Sequence, residues 1–111
     1  MKEDKPYVMH ILDAIASINR FCKGKSKEEF LSDELLREGV VRKLEIVGEA
    51  SKRLSKEFKG GVASAPWSRI SGMRDKLIHG YAGVDFGIVW KVVKEDLPAL
   101  EAALKKALEG K

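Results

Sequence analysis

Residues 33–58 read DELLREGVVRKLEIVGEASKRLSKEF, and this stretch decides the fold. Its side chains Leu36, Val40, Leu44, Val47, Leu54 and Phe58 return at helical spacing, the rhythm of one face of an α-helix and not of a strand. Leu35, Ile46 and Ala50 add a second apolar set, wider than a single neighbour covers. The helix is therefore expected at the centre of a bundle, packed on more than one side. Ser32 or Asp33 caps its start, and Gly60-Gly61 stops it.

Upstream, Tyr7, Val8, Ile11, Leu12, Ile15, Ile18 and Cys22 predict an amphipathic helix from about Lys5 to Lys23, ended by Gly24. Ser26 and Glu29 have capping-box spacing and open a short turn through Leu31. Downstream, residues 62–65 form a loop, and Pro66 opens a helix from about Trp67 to His79 that Gly80 stops. Asp85 caps a last segment whose stripe runs through Phe86, Trp90, Val93, Leu97, Leu100, Leu104 and Leu108. Pro98 must kink or divide it. No strand alternation, glycine-rich phosphate loop, Cys/His metal spacing or internal repeat interrupts this order. Short connections predict an all-α, antiparallel up-and-down bundle of four to five helices, with residues 1–111 as one domain.

Composition narrows the class further. Hydrophobic residues make up 44% and charged residues 34% of the 111-residue chain, which suits a folded helical protein and not a disordered one. Twenty-one basic against seventeen acidic side chains give +4, which permits a phosphate-bearing partner without requiring one. Cys22, the single cysteine, has no disulfide or metal-ligand companion and reads as a small core residue of a reduced, cytoplasmic protein. The stretch from Met1 to Pro6 is too charged for a signal peptide, and no apolar run reaches the ~18 residues of a membrane span. Neither a cofactor nor a metal is implied.

The chemistry gathers at residues 74–81: Arg74, Asp75, Lys76, Leu77, Ile78, His79, Gly80 and Tyr81. At about 100° per residue, Arg74 falls inside the apolar stripe formed by Trp67, Ile70, Leu77, Ile78 and Tyr81. A guanidinium there must be paired, lie at a subunit interface or hold an anion. Asp75 and His79 are about 40° apart, close enough for the carboxylate to orient the imidazole. Arg74 and His79 are about 140° apart, so one chain cannot easily aim both at the same atom. Ser68, Ser71 and Gly72 leave room beside the histidine for a neighbouring helix or a ligand. A symmetric dimer, with the cleft completed by both chains, satisfies these constraints.

Such a cleft suits metal-independent RNA cleavage. An imidazole titrates near neutral pH and can take a proton from a ribose 2′-hydroxyl or return one to the leaving oxygen. Arginine offers a fixed, always-charged donor fork to the phosphoryl oxygens. A structural reading stands beside this one. Arg74 then serves an ion pair, His79 the helix dipole, Tyr81 a loop anchor and Asp75 a lysine, with His10 structural and both Trp67 and Trp90 in the core.

Arg74, His79 and Tyr81 resemble the Arg-x4-His-x-Tyr signature of the HEPN superfamily (higher eukaryotes and prokaryotes nucleotide-binding), in its HepT-like branch. The stretches from Arg42 to Ala50, from Pro66 to Met73, and at Val89-Trp90 and Leu97-Pro98 resemble the family's flanking segments, over roughly Tyr7 to Leu104. Asp75 stands where that family commonly has asparagine. The resemblance implies a homodimeric endoribonuclease toxin with Arg74 and His79 catalytic, Asp75 supporting them, and a nucleotidyltransferase antitoxin as partner. It also implies Tyr81 as the site of regulatory adenylylation, giving O-AMP-tyrosine. The alternative from a different class is a non-catalytic nucleotide-binding module or the scaffold subunit of a nucleotidyltransferase complex.

Overall fold

In the computed structural model, residues 2–80 and 83–110 are described. Among them lie four helices of 13 residues or more: α1 (Lys5–Cys22), α3 (Glu34–Arg53), α5 (Trp67–His79) and α7 (Leu97–Glu109). Three six-residue helices join them: α2 (Lys27–Ser32), α4 (Lys56–Gly61) and α6 (Phe86–Lys91). A π-helical stretch, Val92–Asp96, links α6 to α7. The all-α bundle expected from the periodicity is what forms.

Local chemistry sets most boundaries. Gly24, with φ of 73°, takes the left-handed conformation that ends α1 at little steric cost. The Ser26 hydroxyl accepts from the Glu29 amide at 3.1 Å while the Ser26 amide donates to the Glu29 carboxylate at 2.8 Å, a complete capping box. Asp33 caps α3 by accepting from the Leu36 amide at 3.0 Å, and Asp85 caps α6 by accepting from the amides of Gly87 and Ile88.

The helix expected to continue through Phe58 instead breaks at Leu54. Ser55 caps α4, its hydroxyl accepting from the Phe58 amide at 3.0 Å. The Ser55 amide and hydroxyl both donate to the Asp4 carboxylate, at 2.7 and 2.8 Å, fixing the break from 51 positions away. Those bonds hold the Asp4 carboxyl below the usual aspartate range, the backbone bond from Ser55 contributing most. A lowered folded pKa means the contribution is whole above the ordinary aspartate value and is lost as pH falls through the folded value. Asp4→Ala is therefore expected to cost about 2 kcal/mol at neutral pH. In urea denaturation the gap to the unaltered protein should close in acid.

Pro98 divides the last segment as expected, by a route the periodicity does not reveal. It has no N–H for the carbonyl four residues back, and its ring crowds that carbonyl. The backbone widens upstream, with the Leu97 amide donating to the Val92 carbonyl in a π turn, and α7 then begins with Pro98 in its first turn.

α3 packs against α1, α5 and α2, the central place its broad apolar face predicted. Val8, Ile11, Val40, Leu44, Val47, Phe30, Leu97, Leu100 and Leu104 are fully enclosed. Leu35 departs from expectation: it is 84% exposed, in the first turn of α3. Cys22 is buried as a free thiol, and desolvation pushes its pKa up. Trp90 stacks at a tilt on Phe30, with ring centroids 5.1 Å apart, and carries the Lys94 ammonium over its face. No helix among the described residues is long and apolar enough to cross a membrane.

Candidate active site on helix α5

α5 places Arg74 against α3. Ile70, Met73 and Leu77 bury one side of the helix, and Arg74 follows on the edge of that buried arc, its side chain 17% exposed. The place exists because α3 has a glycine opposite. A Cβ built on Gly48 would lie 2.4 Å from the Arg74 Cβ and 2.6 Å from its Cγ. A helix-interior glycine costs about 1 kcal/mol relative to alanine, and here the missing side chain lets the two helices close around the arginine stem.

The guanidinium is paired, one of the three outcomes its position required. Nε and Nη2 donate to Glu49 Oε2 at 3.2 and 2.8 Å, and Nη1 donates to Asp75 Oδ1 at 3.2 Å. The hydrogen bond from Arg74, and then its charge, hold the Glu49 carboxyl below the usual glutamate range, while the same bond raises the Arg74 pKa. Among the described residues three of the five guanidinium hydrogens are engaged, which leaves two for another acceptor. Glu49 thus fixes the plane of the fork, and the orientation of the remaining donors follows from it.

Glu49 and Gly48 are the residues a motif-centred sequence reading misses. Their signal was a glycine inside a strongly helical stretch, a placement that calls for a packing reason.

Asp75 orients Arg74 and not His79. Among the described residues no hydrogen bond joins Asp75 to the imidazole, because a neighbouring guanidinium offers the stronger, charge-assisted partner. His79 is the last residue of α5 and is exposed, with the Gly80 amide closing the helix end on the Lys76 carbonyl at 2.9 Å. The helix remains α-helical from Arg74 through His79. No unwinding turns the two side chains towards each other, so the wide angle between them persists within one chain. Ser68, Ser71, Gly72 and Asp75 are exposed along the flank leading to His79. Tyr81 lies outside the described residues.

Two depressions flank the Arg74–Glu49 pair. Arg74 and Asp75 line a cleft of about 280 Å³ together with Lys52, Lys59 and Trp67. Glu49 lines a groove of about 640 Å³ with His10, Arg42, Arg53 and Ile78. His10, expected to be structural, is exposed there and meets the Tyr7 ring edge-on at 6.2 Å.

The all-α bundle thus carries Arg74 and, five positions on, His79 along one helix, the arrangement that the resemblance to the HEPN superfamily implied. The family model described as "Ribonuclease HepT-like" matches residues 11–107. "Putative RNase TTE0752" of Caldanaerobacter subterraneus subsp. tengcongensis is 44% identical over 98% of this chain and 97% of its own length. "Probable ribonuclease HepT" of Thermococcus cleftensis is 43% identical over 95% of this chain and 96% of its own length. "Gamma-glutamylcyclotransferase and putative RNase MJ0434" of Methanocaldococcus jannaschii is 41% identical over 97% of this chain, which spans only 49% of that protein. No solved structure matches. The chain belongs to the HepT-like ribonuclease family, and its activity class is that of an RNA endonuclease.

Proposed function

We propose that this protein is a metal-independent endoribonuclease acting as a homodimer, with Arg74 of one chain and His79 of the other meeting at one phosphodiester. The observation that carries this reading is the unbroken course of α5 from Arg74 to His79, which keeps the two groups on different sides of one helix. A second copy brought against the exposed flank of small residues supplies the missing partner.

In this reading the ribose 2′-oxygen attacks the adjacent phosphorus and gives its proton to the neutral His79 imidazole. The imidazolium so formed returns that proton to the 5′-oxygen as the P–O5′ bond breaks. The products are a 2′,3′-cyclic phosphate and a 5′-hydroxyl. The two free Arg74 hydrogens bind the phosphoryl oxygens as charge builds on them. Glu49 and Asp75 hold the fork in place, at the cost of placing negative charge nearby.

The setting is cytoplasmic and the biological role is that of a toxin, silenced by a nucleotidyltransferase antitoxin that adenylylates Tyr81. The match of Arg74, His79 and Tyr81 to the HepT-like pattern supports this role. An adenylyl group would add bulk and negative charge where RNA phosphate must sit. The engagement of the guanidinium by two carboxylates favours the second reading, a non-catalytic scaffold. One experiment separates them. Purified protein, sized in solution, is incubated with single-stranded RNA in excess chelator. A dimer that leaves 2′,3′-cyclic phosphate ends is the expected result. A monomer, or a dimer inert toward RNA from several sources, defeats the catalytic reading.

A further inference from the structure

The cleft beside Arg74 has walls that the cleavage chemistry does not use. Lys52 from the end of α3 and Lys59 from α4 line it, so two lysines stand beside the Arg74–Asp75 ion pair. Glu49, which neutralises Arg74, lines the other groove. The Ser51 residue lining the cleft is only 6% exposed, and its hydroxyl has no hydrogen-bond partner among the described residues. Trp67 packs against the core as expected, yet it is only half-buried and also lines this cleft. Its indole is pinned, Nε1 donating to the Val62 carbonyl at 3.0 Å. A fixed, partly open aromatic ring beside a cluster of cations is the combination that holds unpaired nucleotides. The volume, about 280 Å³, is on the scale of one nucleotide unit and not of a duplex.

We infer that this cleft binds the nucleotide flanking the scissile phosphodiester of single-stranded RNA, with its phosphate on Lys52 and Lys59 and its base on Trp67. The inference rests on the ribonuclease reading and adds substrate form to it. An RNA chain longer than the cleaved step is held, and the base stacked on Trp67 must be unpaired. Stacking accepts any base, because every base presents a π face. The subsite therefore confers preference for single strands without a sequence code.

The test is equilibrium binding of a labelled single-stranded RNA to H79A protein, which leaves the RNA intact, across a salt series. Each phosphate contact to a single strand contributes about 0.7 to the slope of log affinity against log salt. H79A/K52A/K59A protein is expected to bind more weakly, with a slope shallower by about 0.7 or more. Lys52 is exposed and Lys59 half-exposed, so the substitutions spare the core. In H79A/W90F protein Trp67 is the one tryptophan left of two, and saturating RNA is expected to quench its emission. An unchanged salt slope overturns the proposal, as does an indole emission indifferent to RNA. Cleavage by the unsubstituted protein is scored separately. Its absence alongside a shallower slope overturns the catalytic reading and keeps the subsite, whereas cleavage with an unchanged slope does the reverse.

Discussion

Neither Arg74→Ala nor His79→Ala protein is expected to cleave RNA on its own, yet the two co-expressed should recover about a quarter of the unsubstituted rate. The single losses follow from the assigned roles. Removing a positioned acid–base group costs roughly a hundredfold to ten-thousandfold. Removing the charge that meets the phosphoryl oxygens costs roughly a hundredfold to a thousandfold. The recovery follows from symmetry. A two-fold dimer built from one chain of each kind has one cleft with both groups missing and one with both intact. Random pairing makes half of the dimers mixed, and half of their clefts work.

Different affinity tags on the two chains allow mixed dimers to be isolated, where the recovered rate should rise to about half. His79→Ala paired with a chain lacking both residues must remain inactive. Continued inactivity of isolated mixed dimers means that one chain supplies both groups, and the shared cleft is wrong. This measurement is sharper than either substitution alone, since a structural ion pair and a catalytic clamp can both be damaged by Arg74→Ala.

The helices were legible in the sequence wherever one residue could announce its own role. Ser26 with Glu29, Asp33, Asp85 and Gly24 act within a few positions of themselves, and each boundary fell where expected. The break at Leu54 was hidden because Ser55, which caps α4, is itself held by Asp4, 51 residues away, and only in the folded chain. Leu35 belongs to the apolar pattern yet is 84% exposed, because periodicity reports a face and not its neighbour. The site divides in the same way. That Arg74 needed a partner could be read from its stripe, but which partner could not. Glu49 lies 25 positions away and meets Arg74 through helix packing. On angle Asp75 pointed to His79, and in the fold it accepts from the adjacent guanidinium instead.

Gly48→Ala should lose both stability and cleavage, although alanine is the better helix former. The propensity gain is about 1 kcal/mol. Against it stands a new methyl carbon placed 2.4 Å from the Arg74 Cβ and 2.6 Å from its Cγ. These are not the far end of a side chain that can swing away. The Cβ is fixed to the α5 backbone, so α3 and α5 must separate or α5 must rotate. Overpacking of this kind costs roughly 1–3 kcal/mol, which at its upper end outweighs the propensity gain. Either movement also pulls the guanidinium from Glu49, so cleavage should fall as far as in Arg74→Ala even where the protein remains folded. Gly60→Ala in α4 is the comparison: a Cβ there meets nothing within 4 Å, and stability should rise by about 0.5–1 kcal/mol. Urea unfolding of the two variants decides the matter. Gly48→Ala protein that is more stable than the original and cleaves RNA undiminished would show that Arg74 does not lodge against α3, and the fixed fork would lose its support.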